Sequence, residues 1–227
     1  MDEQRKLFYG ALFNAGELVF DVGANMGNRS KVFRKLGARV VAFEPQDYCA
    51  DFLEAAFASD RNFKLTRLAL SESTGEMTLH TGEAHTLSSL DNEWIERMKD
   101  GGRFAHHHWD KGKKVPVITL DQAIERFGLP TFIKIDVEGH ELSVIRGLSQ
   151  PVQVLSLEFA SEYLDKSHEC LDHLESLGNY RYRISLAETM QFDDNGWSDK
   201  QAILRHLDAA RDKDPMVWGD IYARLEQ

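Results

Sequence analysis

The chain has 227 residues, 42% of them hydrophobic, which fits one α/β domain with a full core. Its formal charge of −10 disfavours sequence-independent binding to nucleic acid, which relies on Lys and Arg against phosphate. No stretch approaches the ~20 apolar residues of a membrane span, Met1 to Lys6 does not open a signal peptide, and Cys49 and Cys170 lack metal-binding spacing, so a soluble, cytoplasmic protein is expected.

Residues 2–13 read as a lead-in helix and 17–21 as a first strand. A crossover helix follows over Met26–Leu36, stopped by Gly37. Strand two is 39–43, helix two Tyr48–Ser59, and strand three about 63–68. Thr74-Gly75 reads as a turn before an edge strand, Met77–His80. Residues 82–114 break the βα rhythm and read as a polar lid or insertion. Val115–Leu120 is a short extended run that Pro116 places at an edge or strand start, and Asp121 is the expected cap of a helix ending at Gly128-Leu129-Pro130. Thr131–Asp136 and Val152–Glu158 are apolar runs of the kind buried parallel strands require, with a helix over Leu142–Leu148 between them. Beyond them, 165–227 should hold a helix over His168–Leu177, an antiparallel hairpin of Tyr180–Ser185 with Thr189–Phe192, and helices over Asp199–Arg211 and Met216–Leu225.

Two segments carry the binding chemistry. Strand one runs into Asp21-Val22-Gly23-Ala24-Asn25-Met26-Gly27, and strand two ends in Glu44. In an open parallel sheet ligands bind at these strand ends; glycines admit the ligand to the backbone, and a carboxylate on the next strand holds ribose hydroxyls. The spacing is G-x-x-x-G rather than the dinucleotide G-x-G-x-x-G, and Asp21 would repel a pyrophosphate but welcome an ammonium. That favours S-adenosylmethionine over NAD. Glu44 is expected as an exposed strand-end carboxylate, outside the core.

Strand four ends in Asp136-Val137-Glu138-Gly139-His140-Glu141, and strand five in Glu158. Asp136, Glu138, His140 and Glu158 are candidates to remove the proton of a hydroxyl acceptor. The competing reading is that Asp136 and Glu138 cap the following helix. Acids on neighbouring strand ends could also hold a hard divalent cation; the metal-free version is preferred, because no ligand histidine geometry is evident. His106-His107-His108 reads as a solvated loop face, since adjacent side chains diverge, with one of these histidines and Trp109 the lesser candidates for sugar contact. Thr86-Leu87-Ser88-Ser89-Leu90 reads as part of the lid or as ordinary turn chemistry.

Taken together, the glycine loop 21–27, Ala42-Phe43-Glu44-Pro45, Leu87-Ser88-Ser89-Leu90, Thr119-Leu120-Asp121 and Ile133-Lys134-Ile135-Asp136-Val137-Glu138-Gly139-His140-Glu141 resemble the FkbM family of S-adenosylmethionine-dependent methyltransferases. The resemblance spans roughly residues 17 to 160. It implies a Rossmann-like class I methyltransferase fold, with a mostly parallel seven-stranded sheet, a terminal antiparallel hairpin and helices on both faces. It also implies O-methylation of a hydroxyl on a saccharide or secondary metabolite. Asp21, Gly23, Asn25, Gly27 and Glu44 carry over as cofactor residues, and Asp136 and Glu138 only as site residues; Ala24 and Asp136 are further cofactor-binding candidates. The expected partner is a small-molecule or glycan acceptor, not nucleic acid. The alternatives are N- or carboxyl-methylation on the same fold, or a non-catalytic nucleoside-binding regulator.

Overall fold

The computed structural model describes residues 2–82, 88–99, 108–110, 112–193 and 196–226. The chain runs through α1 (Asp2–Tyr9), β1 (Leu18–Val22), α2 (Asn28–Lys35), β2 (Arg39–Phe43), α3 (Asp47–Ala56), β3 (Phe63–Thr66), β4 (Ala69–Leu70), β5 (Gly75–Leu79) and α4 (Asn92–Lys99). It continues through β6 (Lys113–Ile118), α5 (Leu120–Phe127), β7 (Phe132–Ile135), α6 (Glu141–Arg146), β8 (Val154–Ala160), α7 (Leu164–Leu177), β9 (Tyr180–Leu186), α8 (Lys200–Lys213) and β10 (Trp218–Leu225).

Seven strands form the main sheet in the order β3-β2-β1-β7-β8-β10-β9. β3, β2, β1, β7 and β8 are mutually parallel, and β10 is antiparallel to both β8 and β9. β1 and β7 are buried at every residue, as strands covered on both faces must be. The two-residue period sends Leu18, Phe20 and Val22 into one apolar layer with Ile133, Ile135 and residues of α5, α6 and α7. It sends Val19 and Phe132 into the other, with Phe8 and Tyr9 of α1, Val32 and Phe33 of α2, and Tyr222 of β10. Asp21 and Lys134 lie at the same alternation as this second layer, at the ends from which loops emerge. β4, β6 and β5 make a separate small sheet.

Several expectations are corrected. Met216–Leu225 is not a helix: Trp218–Leu225 is β10, inserted between β8 and β9. Thr189–Phe192 is not a strand. Ala187 and Met190 have φ of 46° and 51°, which turns the chain out of extended geometry, and the partner of β9 is β10. Strand three ends at Thr66. The cap of α5 is Thr119, whose side chain accepts from Gln122 N while Gln122 reaches back to the Thr119 N–H; Asp121 instead accepts from Ser149 N. β6 is the middle strand of its sheet, but β4 pairs with it only at Val117 and Ile118, so Pro116 is flanked there by β5 alone. Within 82–114 stands α4, capped by Asp91, with Trp94, Ile95 and Met98 buried.

Candidate active site at the strand ends

The glycine loop is pinned across the end of β2. Gly23 N and Ala24 N both donate to Phe43 O, at 3.0 and 3.1 Å. Asn25 N donates to Glu44 Oε2 at 2.7 Å, and Gly27 N to Ala24 O at 2.8 Å, after which Gly27 caps α2. Gly23 has φ 78°, and a Cβ there would lie 1.9 Å from Asp136 O. Only glycine lets β7 and this loop close against each other. Asp21 is buried behind the loop and accepts a hydrogen bond from Ser30 Oγ. Burial raises its pKa, opposed by Ser30 and Lys134.

Glu44 is 2% exposed, which corrects the expectation of an exposed acid. Its second oxygen accepts from Gln46 N at 2.8 Å. Burial pushes its pKa up to about 7 despite both N–H bonds. Glu44 therefore holds the loop and lines the cleft at once.

After β7 the chain turns through Glu138 and Gly139 at φ of 51° and 91°. A Cβ on Gly139 would meet the Trp94 ring at 2.2 Å, so α4 packs directly on this turn. Ser89 Oγ donates to Glu138 O at 2.6 Å. The turn brings carboxylate oxygens of Asp136, Glu138 and Glu158 within 4.8 Å of one another. Beneath them Lys134, 1% exposed, places Nζ 3.1 Å from Asp136 Oδ2 and 2.9 Å from Asp220 Oδ1. Burial would lower the Lys134 pKa; Asp136 and Asp220 outweigh it and hold the ammonium well above its usual range. Burial would likewise raise Asp136, but the Lys134 ammonium keeps it below the usual carboxylate range. Burial, then Asp136 and Glu138, push the Glu158 pKa well above the usual carboxylate range.

A cleft of about 230 Å³ joins these parts. Asp21, Gly23, Ala24, Asn25, Glu44, Asp136 and Glu138 line it. Glu158 faces a smaller recess beside Trp94 and Tyr163. His140 is not brought to the cleft: it is buried against Ser71 Oγ, 3.2 Å from its Nε2, and burial lowers its pKa. Thr86, Leu87, His106 and His107 lie outside the described residues. His108 is exposed, and Trp109 meets Trp94 edge-on at 6.1 Å. Sequence reasoning missed Lys134, a cation inside an apolar strand and hence a readable signal. It also missed Arg5, Arg29, Glu188 and Asp220, which only the tertiary fold assembles.

These residues fit S-adenosylmethionine. The close approach at Gly23 leaves backbone rather than side chain at the cleft wall, Glu44 offers a carboxylate to ribose hydroxyls, and Asp21 and Asp136 suit an ammonium or sulfonium.

Residues 21–184 match the Methyltransferase FkbM domain. Comparison with curated proteins returned no match. Among solved structures the chain is similar to precorrin-6Y C5,15-methyltransferase from Geobacter metallireducens, at 13% identity and TM-score 0.52, covering 99% of this chain and 87% of that one. It is also similar to an rRNA methylase from Streptococcus thermophilus (10% identity, TM-score 0.45, 97% and 94% covered). A third is a TehB-like SAM-dependent methyltransferase from Corynebacterium glutamicum (9% identity, TM-score 0.45, 97% and 87% covered). The fold likeness rests on the first of these, and the family on the match across 21–184: the chain belongs to the FkbM methyltransferases, S-adenosylmethionine-dependent enzymes on the Rossmann-like class I fold.

Proposed function

We propose that this enzyme methylates a hydroxyl group, on a saccharide or glycosylated metabolite, using a carboxylate base and no metal. The observation that carries the reading is Asp136: ionised, on the cleft wall, and held by the buried Lys134 ammonium at 3.1 Å. A hydroxyl is a poor nucleophile until its proton leaves, whereas a carboxylate acceptor has no proton to give up. S-adenosylmethionine, when bound, supplies the electrophilic methyl. Asp136 accepts the hydroxyl proton, and the Lys134 ammonium balances its charge. The glycine loop and Glu44 hold position, which is the protein's main contribution to such a displacement. Asp136, Glu138 and Glu158 could accommodate a dication; the metal-free version is preferred because the Lys134 ammonium already sits 3.1 Å from Asp136.

Methyl-labelled S-adenosylmethionine incubated with a panel of saccharides and glycosides, with and without EDTA, tests this. Label should appear on a hydroxyl oxygen and survive the chelator. Asp136→Asn should lower turnover by about two to four powers of ten while S-adenosylhomocysteine still binds. Label on nitrogen or a carboxyl group, or activity abolished by EDTA and restored by magnesium, overturns the reading.

A further inference from the structure

Arg5, from α1, and Arg29, from the first turn of α2, both line the cleft and converge on Glu188 in the turn after β9. Arg5 Nη2 lies 3.1 Å from Glu188 Oε2, and Arg29 Nη2 lies 2.5 Å from Oε1. Two guanidinium groups thus share one carboxylate. Besides Glu188, the Tyr9 phenol and Asp220 act on Arg29; Tyr9 offers no carboxylate, and Asp220 is already engaged by Lys134 at 2.9 Å. Arg5 Nε is buried and has no acceptor among the described residues. The rest of the charged lining is dominated by acids, so the surplus of positive charge is local to this wall. A tether for α1 does not need it, because Gln4 Nε2 already donates to Thr189 O at 2.7 Å on the same turn.

We propose that Arg5 and Arg29 form a carboxylate subsite, with Glu188 holding the two guanidinium groups in place for a ligand's carboxylate. A planar fork of N–H donors suits a carboxylate, and two forks around a shared acid leave donors over for a second. Two ligands carry that chemistry here: the methionyl end of the cofactor, and an acidic acceptor such as a uronate. The inference rests on the cofactor reading above.

Calorimetry on the full chain separates the sources. S-adenosylhomocysteine carries the carboxylate; 5′-methylthioadenosine keeps the nucleoside and thioether and lacks it. If the cofactor's carboxylate sits here, Arg5→Gln and Arg29→Gln weaken S-adenosylhomocysteine roughly 10- to 100-fold and leave 5′-methylthioadenosine unchanged. If an acceptor's carboxylate sits here, both nucleosides are unaffected, and in protein saturated with S-adenosylhomocysteine the variants lose binding of glucuronate, with glucose as the neutral control. Glu188→Gln frees the arginines and should tighten the carboxylate ligand; a purely structural cluster predicts a lower Tm with no such gain. That variant also serves should the arginine variants fail to fold. Unchanged ligand ratios together with no glucuronate binding overturn the subsite. A wild-type protein that binds neither nucleoside overturns the cofactor reading and this subsite with it, whereas nucleoside binding indifferent to Arg5 and Arg29, with no glucuronate binding, overturns the subsite alone.

Discussion

Glu44 shows how a residue legible in the sequence acquires a role that is not. Its place at the end of a buried strand marks it for ribose hydroxyls, and the cleft includes it. That both its oxygens are taken up by Asn25 N and Gln46 N depends on how the loop folds back, which no local pattern encodes. Glu44→Ala should therefore loosen the loop as well as weaken the cofactor, because it leaves two N–H donors without an acceptor. The pH dependence follows from its pKa of about 7, above the unfolded value of 4.5. The folded state binds this proton more tightly, so the residue's contribution to stability is present below the unfolded pKa and is lost as pH rises through about 7. Ribose hydroxyls donate to the ionised form and favour it. Binding of S-adenosylhomocysteine should then release up to about half a proton at pH 7, and affinity should rise between pH 6 and pH 8 as roughly the ionised fraction of one such group does. Titrations in buffers of different protonation enthalpy measure this directly. Proton uptake, or the same linkage in Glu44→Gln, would show that another group is responsible.

Among the elements, β1, β2, β7 and β8 are readable because buried parallel strands are apolar on both faces and end in the residues that do chemistry. Helix α4 was readable too: Asp91 as cap, then Trp94, Ile95 and Met98 at helical spacing, masked by the polar sequence on either side. β10 was not. Buried on both sides between β8 and β9, it shows no polar alternation, and Ile221 to Leu225 satisfies a helical reading equally well. Its identity comes from pairing with strands more than 30 residues away, a non-local term that propensity does not carry. The misreading hid a functional contact. Antiparallel insertion sets Asp220 opposite Glu158, and from there it reaches across β8 to Lys134. Replacing Lys134 by Met leaves Asp220 buried without its cation and should cost about 3–5 kcal/mol of stability. Adding Asp220→Asn should recover a good part of that loss, while Asp136, still without its ammonium, rises in pKa and is less fully ionised. Denaturant unfolding of the two singles and the double gives the coupling. Strict additivity would mean that the Lys134–Asp220 bond does not tie the active strand to the sheet's antiparallel edge.

For the molecule as a whole, the sequence already contains the decisive quantity, its net charge of −10. The structure adds where that charge lies. Asp21, Glu44, Asp136, Glu138 and Glu188 line the cleft against Arg5, Arg29 and Lys134, and Lys134 is committed to Asp136 and Asp220. Arg5 and Arg29, converging on one carboxylate, are placed to seat a single anion rather than to follow a phosphate backbone. Nucleic-acid affinity grows with the number of phosphates neutralised by Lys and Arg, each adding about one unit to the slope of log K against log salt. With so few cations free at the cleft and a repulsive field around it, the protein should not retain RNA. The expected result is no shift of a structured RNA oligonucleotide by micromolar protein at low salt, where electrostatic binding is strongest. The same preparation should bind S-adenosylhomocysteine, which shows that the fold is intact. Retention of RNA with a steep salt slope would locate a basic path outside this cleft and replace the small acceptor with a polyanion.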